Sequence, residues 1–210
     1  MSAVEELRRA TRALHDRLDR LPYARRVIDG TVRLEDYAAF LASLAVIHEA
    51  VAVLAAEHPD AQIQGLWQPE SNALPALRRD LEHLAAMGVE AVVPRAAPEL
   101  ASVLGQLSKK DPRTLAGVFY VLEGSKLGGV VQAAALAEIP ALGERGREYL
   151  GGSGASARPR STFRQFLARL EAALASDPAP AIRGAVAAFE GFEAIVSAVS
   201  SGGESPRFPA

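Results

Sequence analysis

The stretch PRTLAGVFYVLEGSKLGGVVQAAALA, residues 112–137, is predicted to form one long apolar helix that four glycines interrupt. Pro112 suits its first position because proline lacks the amide that a helix start leaves unpaired. A glycine in a helix interior costs ~1 kcal/mol relative to alanine, so this concentration indicates a specific role. Gly124 and Gly128 are one turn apart and Gly129 adjoins, which leaves one side of the helix almost bare. Either a neighbouring helix packs closely there, or a flat ligand lies against the backbone.

The first predicted helix carries a charged face beside a stripe of leucines. Its start, Ser2 to Glu5, has the form of a capping box. Arg8, Arg12, His15 and Asp19 follow at steps of four, three and four residues, so they share one face. A solvated surface explains such a face as well as a binding site does. Together with the glycine-rich helix, it favours a planar ligand held between the two.

Helical spacing of apolar residues along nearly the whole chain predicts an all-α, single-domain bundle over residues 1–199. The predicted helices span residues 3–20, 34–57, 74–87, 99–107, 112–137, 142–150, 162–174 and 181–199. A flexible polar loop is expected at 151–160 and a disordered tail at 200–210. Only residues 89–93 suggest a strand, and no hairpin signal accompanies them.

Composition excludes several classes of protein. The 23 Lys and Arg residues nearly balance the 25 Asp and Glu residues, so the overall charge predicts no nucleic acid partner. The chain has no cysteine, which excludes disulfides, zinc–thiolate sites, iron–sulfur clusters and thiolate ligation of heme. The N-terminus lacks the apolar core of an export signal, and the most apolar run, residues 41–56, is too short for a bilayer. We therefore expect a cytoplasmic protein without a membrane span.

The four histidines offer few metal sites by spacing alone. His48-Glu49 begins like a zinc-protease motif, but Ala52 stands where the second histidine is required. His48 is therefore expected to be a hydrogen-bonded histidine of the core. His58 and His83 lie near predicted helix ends and are expected to face solvent.

Two segments resemble helices of a known family. The segment from Leu7 to His15, LRRATRALH, resembles the proximal helix of heme oxygenases, and the segment from Phe119 to Gly129, FYVLEGSKLGG, resembles their distal helix. The second segment is especially similar to the bacterial branch often associated with bacteriophytochromes. The segment starting at Thr162, TFRQF, also resembles the family, so the likeness covers most of the chain.

This resemblance implies a heme sandwiched between the two helices and a role for each matching residue. His15 would be the axial ligand of the iron, and Arg8, Arg12 and Arg164 would bind the heme propionates. The distal side would be formed by Gly124, Ser125, Gly128 and Gly129, with Tyr120 nearby. Ser125 stands where many members carry an aspartate, and Ala168 stands where a further basic residue is expected.

The activity that the resemblance implies is oxidative ring opening of heme, which is then both cofactor and substrate. The products would be biliverdin, carbon monoxide and ferrous iron. The reaction needs O2 and an external reductant, such as a ferredoxin or a reductase, because the chain has no flavin or nicotinamide motif of its own. The alternatives are a heme-binding storage or sensing protein of the same fold, or a helical interaction protein whose glycines serve packing alone.

Overall fold

The fold is built from helices joined by turns and irregular segments. The computed structural model describes residues 2–68, 71–151, 159–174 and 177–200, and no strand occurs among them. Nine α-helices occur in these residues, and a 3-10 turn at Pro112–Thr114 leads into the seventh. They are α1 (Ala3–Asp19), α2 (Pro22–Ile28), α3 (Leu34–Ala56), α4 (Ala61–Gln64), α5 (Leu74–Ala86), α6 (Ala96–Lys110), α7 (Leu115–Leu136), α8 (Pro159–Leu174) and α9 (Ala179–Ser200).

The predicted all-α class is confirmed, and so is the capping box of α1, in which Ser2 and Glu5 bond each other's backbone amides. Helix α6 begins three residues before its predicted start. Pro98 is tolerated in its first turn because the backbone amides there have no hydrogen-bond acceptor within the helix. The prediction missed α2, a seven-residue helix with Pro22 at its first position. Residues 89–93 form no strand.

The helix predicted at 142–150 is wrong. This segment is a series of turns in which Gly143 has a φ of +54°, a left-handed conformation that no α-helix accommodates. Leu142 and Leu150 are nevertheless buried, which explains the apolar spacing that suggested a helix. Residues 152–158 of the predicted loop and 201–210 of the predicted tail lie outside the described residues. Ser200 ends α9, and Pro159 and Arg160 begin α8.

The core is organised around α9, which packs against α1, α6 and α7. Helix α3 lies behind it and packs against α5 and α6. By length and composition α3 is apolar enough to cross a membrane, but 56% of its most apolar window is buried inside the fold. That burial agrees with the expectation of a buried helix.

Helices α7 and α9 cross with their backbones in direct contact. A Cβ atom on Gly117 would lie 1.8 Å from the carbonyl oxygen of Ala181, and one on Gly184 would lie 1.9 Å from that of Thr114. Both distances are far below van der Waals contact, so only glycine permits this crossing. The packing interpretation of the glycine-rich helix therefore holds at Gly117, two turns before Gly124.

The same arrangement separates α1 from α7. Both helices pack on α9 and barely touch each other, while α2 joins the end of α1 and contacts α7. A gap therefore remains between α1 and α7, with α2 closing one end of it.

Candidate functional site

A cleft of about 460 Å³ lies between the end of α1, helix α2 and the middle of α7. Its walls include Asp19 from α1, Ala24 and Ile28 from α2, and Gly128 and Val131 from α7. Clefts that bind small molecules and cofactors commonly have volumes of roughly 300–1,000 Å³. This cleft has a suitable size, but it lies mainly between α2 and α7. Helix α1 contributes Asp19 to its walls, and His15 is not among the lining residues.

The glycines facing this gap are not explained by packing. A Cβ atom on Gly128 would have no heavy atom within 4 Å, and one on Gly124 would make an ordinary contact of 3.7 Å with the Phe163 ring. Gly129 differs, because its Cβ would lie 3.2 Å from the carbonyl oxygen of Leu150 on the other side of α7. The structure thus places Gly128 in the wall of the cleft, Gly124 beside Phe163 of α8 and Gly129 against the segment that follows α7.

His15 is held by a carboxylate one turn away on α1. Its Nδ1 lies 3.1 Å from an Asp19 carboxylate oxygen, and 61% of its side-chain surface is exposed. With Nδ1 as the donor, the neutral ring presents its lone pair at Nε2, the atom that would bind a metal. The ring meets Phe189 of α9 edge-on at a centroid distance of 6.0 Å. Sequence reasoning assigned no role to Asp19. Its position four residues after His15 on the same helix face was the signal that could have indicated this contact.

The three predicted propionate ligands lie outside the cleft at Gly128. Arg8, Arg12 and Arg164 are all exposed, and none forms an ion pair with another described residue. Helices α1 and α8 are in contact, since Glu171 of α8 accepts hydrogen bonds from the first-turn amides of α1. Glu171 thus joins α8 to the first turn of α1, and the three arginines are exposed on these two contacting helices.

Two further predicted residues of α7 lie beside the glycines. Tyr120 is half-buried, and its ring centroid is 6.3 Å from that of Phe163. The Ser125 hydroxyl donates to the carbonyl oxygen of Leu122 at 2.7 Å. Burial raises the pKa of Tyr149 to about 12, so the phenol keeps its proton at neutral pH.

The remaining histidines depart from their predicted settings. His58 is buried rather than solvent-facing, with Nδ1 accepting from the Asp60 amide at 3.0 Å and Nε2 2.9 Å from the Pro112 carbonyl oxygen. His83 is half-buried. His48 is buried as predicted, but neither ring nitrogen has a hydrogen-bond partner among the described residues. Within the same part of the chain, no group of three or more His, Asp or Glu side chains is arranged to hold a metal ion.

Comparison with known proteins identifies the family. A family model described as heme oxygenase matches residues 1–198. No curated protein sequence matches the chain.

Solved structures with this fold include heme oxygenases of bacteria. The heme oxygenase from Leptospira interrogans has a TM-score of 0.82 at 18% identity, over 94% of this chain and 99% of that one. Heme oxygenase-2 from Synechocystis in complex with heme and NO has a TM-score of 0.80 at 19% identity, over 96% and 86%. Heme oxygenase-1 from the same cyanobacterium, in complex with heme, has a TM-score of 0.73 at 17% identity, over 96% of each chain. Because the heme oxygenase family model spans residues 1–198, the chain belongs to the heme oxygenase family.

Proposed function

We propose that this heme oxygenase binds heme in the gap between α1 and α7 and degrades it to biliverdin, carbon monoxide and ferrous iron. The observation that carries the proposal is the open space at Gly128. Gly117 on the same helix is required by packing, but Gly128 costs helix stability without filling any contact. A bare backbone along one wall of a gap is what a flat macrocycle requires. Heme is the substrate here, and its iron supplies the redox chemistry with O2.

In this proposal His15 is the protein ligand of the iron, and Asp19 is its positioning residue. The carboxylate is proposed to hold the proton on Nδ1 and to limit rotation of the ring, which leaves the lone pair of Nε2 for the iron. The contact with Phe189 restricts the ring from the α9 side.

Arg8, Arg12 and Arg164 are proposed to bind the propionates, because exposed guanidinium groups form strong charge-assisted hydrogen bonds with carboxylates. Their positions on α1 and α8 would orient the substrate within its own plane. Ala168 contributes no charge, so orientation depends on these three arginines.

Gly124 and Gly128 are proposed to exclude side chains from the face of the macrocycle opposite His15, leaving room for O2. Ser125, the next residue after Gly124, is proposed to contribute a hydroxyl to the same side of the substrate.

The electrons are proposed to come from an external donor such as a ferredoxin or a reductase. Between Ala3 and Ile28 the chain carries seven arginines and four acidic residues. This local positive charge beside the cleft favours association with an acidic donor protein. We place the reaction in the cytoplasm, where such donors are available.

The test is to add one equivalent of hemin to the purified protein, and then ascorbate in air with catalase present. We expect a sharp Soret band that decays as a broad red biliverdin band appears. A Soret band that is stable to ascorbate would refute ring opening while leaving heme binding, and no Soret band would refute the heme site itself.

Gly128→Leu and Gly105→Leu form a matched pair for this test. Both glycines lie in helices and a Cβ atom on either would have no heavy atom within 4 Å, but Gly105 lies in α6, away from the cleft. We expect Gly128→Leu to block turnover and Gly105→Leu to leave it unchanged. Equal activity in the two variants would show that this part of α7 does not face the substrate.

A further inference from the structure

The backbone amides at the start of α1 all have partners, and some of these partners come from another helix. The amides of Ser2 and Glu5 are bonded within the capping box. The amides between them, those of Ala3 and Val4, donate to the two carboxylate oxygens of Glu171 on α8, each at 2.9 Å. A helix leaves such amides without internal partners, and its dipole favours a carboxylate there. Glu171 therefore completes the cap of α1 from a distant part of the chain.

This contact is rigid at both ends. Ala3 and Val4 are buried, and Leu170, the residue before Glu171, is fully buried as well. Backbone amides inside a helix have no rotamers to lose, unlike the partners of an ion pair between two long exposed side chains. The two hydrogen bonds also lower the pKa of Glu171, so the carboxylate stays ionised at neutral pH. Glu171 thus fixes the C-terminal half of α8 to the first turn of α1.

The other end of α8 lies against α7. The Phe163 ring is 3.7 Å from the position that a Cβ atom on Gly124 would take, and its centroid is 6.3 Å from that of Tyr120. Phe163 and Glu171 are eight residues apart, which is about 12 Å along a helix. Helices α1 and α7 barely touch each other, whereas α8 packs against both. The position of α8 between them therefore depends on a contact at each end, and Glu171 supplies the one with α1.

Arg164 lies on the same face of α8 as Glu171. The two residues are seven positions apart, or two helical turns, and Ala168 lies between them on that face. Arg164 is exposed, and so are Arg8 and Arg12 on α1. A set of guanidinium groups carried by two helices has a fixed geometry when the helices are fixed to each other. Glu171 makes this connection two turns from Arg164.

We propose that Glu171 is a positioning residue that sets the orientation of the heme within its own plane. The inference rests on the proposed function. By fixing α8 to the start of α1, Glu171 holds Arg164 at a set distance from Arg8 and Arg12, so the two propionates meet the guanidinium groups in one arrangement. When the bonds of Glu171 are weakened, Arg164 shifts relative to α1 and a second orientation becomes populated. That orientation presents a different meso carbon for ring opening and yields a different biliverdin isomer.

The test variant is Glu171→Gln, and Glu193→Gln is its matched control. Glutamine keeps the size of the side chain but loses the charge and one of the two acceptor oxygens. Glu193 also contacts α1 from another helix, α9, through an ion pair with Arg17 at 2.7 Å, and it does not touch α8 through that pair. In the heme-free protein, amide hydrogen exchange of Ala3 and Val4 should be faster in Glu171→Gln only. Unchanged protection of these amides would overturn the proposal.

The orientation is measured by proton NMR of the ferric cyanide complex with hemin, in which each orientation of the heme gives its own set of methyl signals. We expect the same ratio of sets in the wild type and in Glu193→Gln. In Glu171→Gln the ratio should change about threefold or more, the lower end of what coupled residues produce. An unchanged ratio in Glu171→Gln would overturn the positioning role.

A second background shows whether Glu171 acts through Arg164. In Arg164→Ala, adding Glu171→Gln should leave the ratio where the single Arg164→Ala variant puts it. Heme dimethyl ester, which has no free propionates, should give the same ratio with the wild type and with Glu171→Gln. A change caused by Glu171→Gln in either case would show a general loosening of the fold and would overturn the proposal.

The outcomes separate this inference from the proposed function. If the wild type binds hemin but does not open the ring, the proposed reaction has failed, and the methyl signals still decide the role of Glu171. If the wild type opens the ring, the biliverdin isomers formed by Glu171→Gln should change with the NMR ratio, and unchanged isomers would overturn this inference alone. A wild type that binds no hemin would overturn both. If Glu171→Gln does not fold, Glu171→Asp, which keeps the charge on a shorter side chain, decides by the same ratio.

Discussion

The same substitution at two glycines of α7 should change stability in opposite directions. At Gly117 a Cβ atom would lie 1.8 Å from the Ala181 carbonyl oxygen and 2.7 Å from the Ala185 amide nitrogen. Both contacts are with backbone atoms, so no side chain is able to move aside. Helices α7 and α9 would have to separate by well over 1 Å, because an ordinary contact to carbon needs roughly 3.5 Å. At Gly128 the added methyl group would meet nothing within 4 Å.

The magnitudes follow from these two settings. Replacing glycine by alanine in a helix interior gains about 1 kcal/mol in helix propensity at either site. At Gly117 this gain is outweighed by overpacking, which typically costs 1–3 kcal/mol and more where backbones collide, so we expect a net loss of about 2 kcal/mol. At Gly128 the gain stands, and we expect about 0.5–1 kcal/mol of added stability. For a chain of this length, 1 kcal/mol corresponds to a Tm change of roughly 2–4 °C.

The assay is thermal and urea unfolding of the heme-free protein, followed by circular dichroism, with Gly105→Ala as the control for helix propensity. Gly117→Ala should lower Tm by about 4–8 °C, while Gly128→Ala and Gly105→Ala should raise it by about 2–4 °C. Only Gly128→Ala should then weaken hemin binding or turnover. A Gly117→Ala variant as stable as the wild type would refute the close crossing of α7 and α9. A Gly128→Ala variant that is destabilised like Gly117→Ala would show that packing, not a ligand, explains both glycines.

Three further predictions concern charged and titratable groups. Asp19→Ala should lower hemin affinity about 10–100-fold without unfolding the protein, because His15 loses its orienting carboxylate; equilibrium hemin titration measures this. The pKa of His48 is about 4 in the fold, below its value in the unfolded chain. Its contribution to the free energy of unfolding, about 3 kcal/mol, is therefore present above pH 6.5 and is lost as pH falls through 4. Asp80 acts in the opposite sense, since its pKa is raised to about 6 by burial and its contribution is lost as pH rises through that value. The free energy of unfolding, measured with urea from pH 4 to 7, should therefore fall less steeply with falling pH in His48→Phe and more steeply in Asp80→Asn. Glu171→Gln should lower Tm at pH 7 but not below the lowered pKa of Glu171, since only the ionised carboxylate holds the first-turn amides of α1 strongly.

Much of the helical framework could be predicted from short-range patterns. The capping box at Ser2 and Glu5, the proline at the start of the 3-10 turn before α7, and apolar spacing at three and four residues are all local signals. Such signals fail where a segment is short or where burial does not come from a regular element. Helix α2 has only seven residues, and the turns at 142–150 bury two leucines at helical spacing without forming a helix.

The candidate site was only partly visible in the sequence. His15 and the glycines of α7 were predicted from their spacing and from the family resemblance, and of these residues Gly128 lines the cleft. No local signal indicated that the rings of His48 and Tyr149 lie 6.0 Å apart, because the two residues are about a hundred positions apart in the chain. His58 was placed in solvent for the same reason, since its partner at Pro112 is 54 residues away.

The sequence by itself determined the helical class, the positions of the longest helices and the face shared by His15 and Asp19, because each depends on residues within two or three turns of one another. Only the tertiary structure decided what each glycine of α7 does. A glycine is the same letter in the sequence whether a neighbouring helix or a ligand fills the space beside it. The position of α9 against Gly117, of Leu150 against Gly129 and of open space at Gly128 depends on how distant segments pack together.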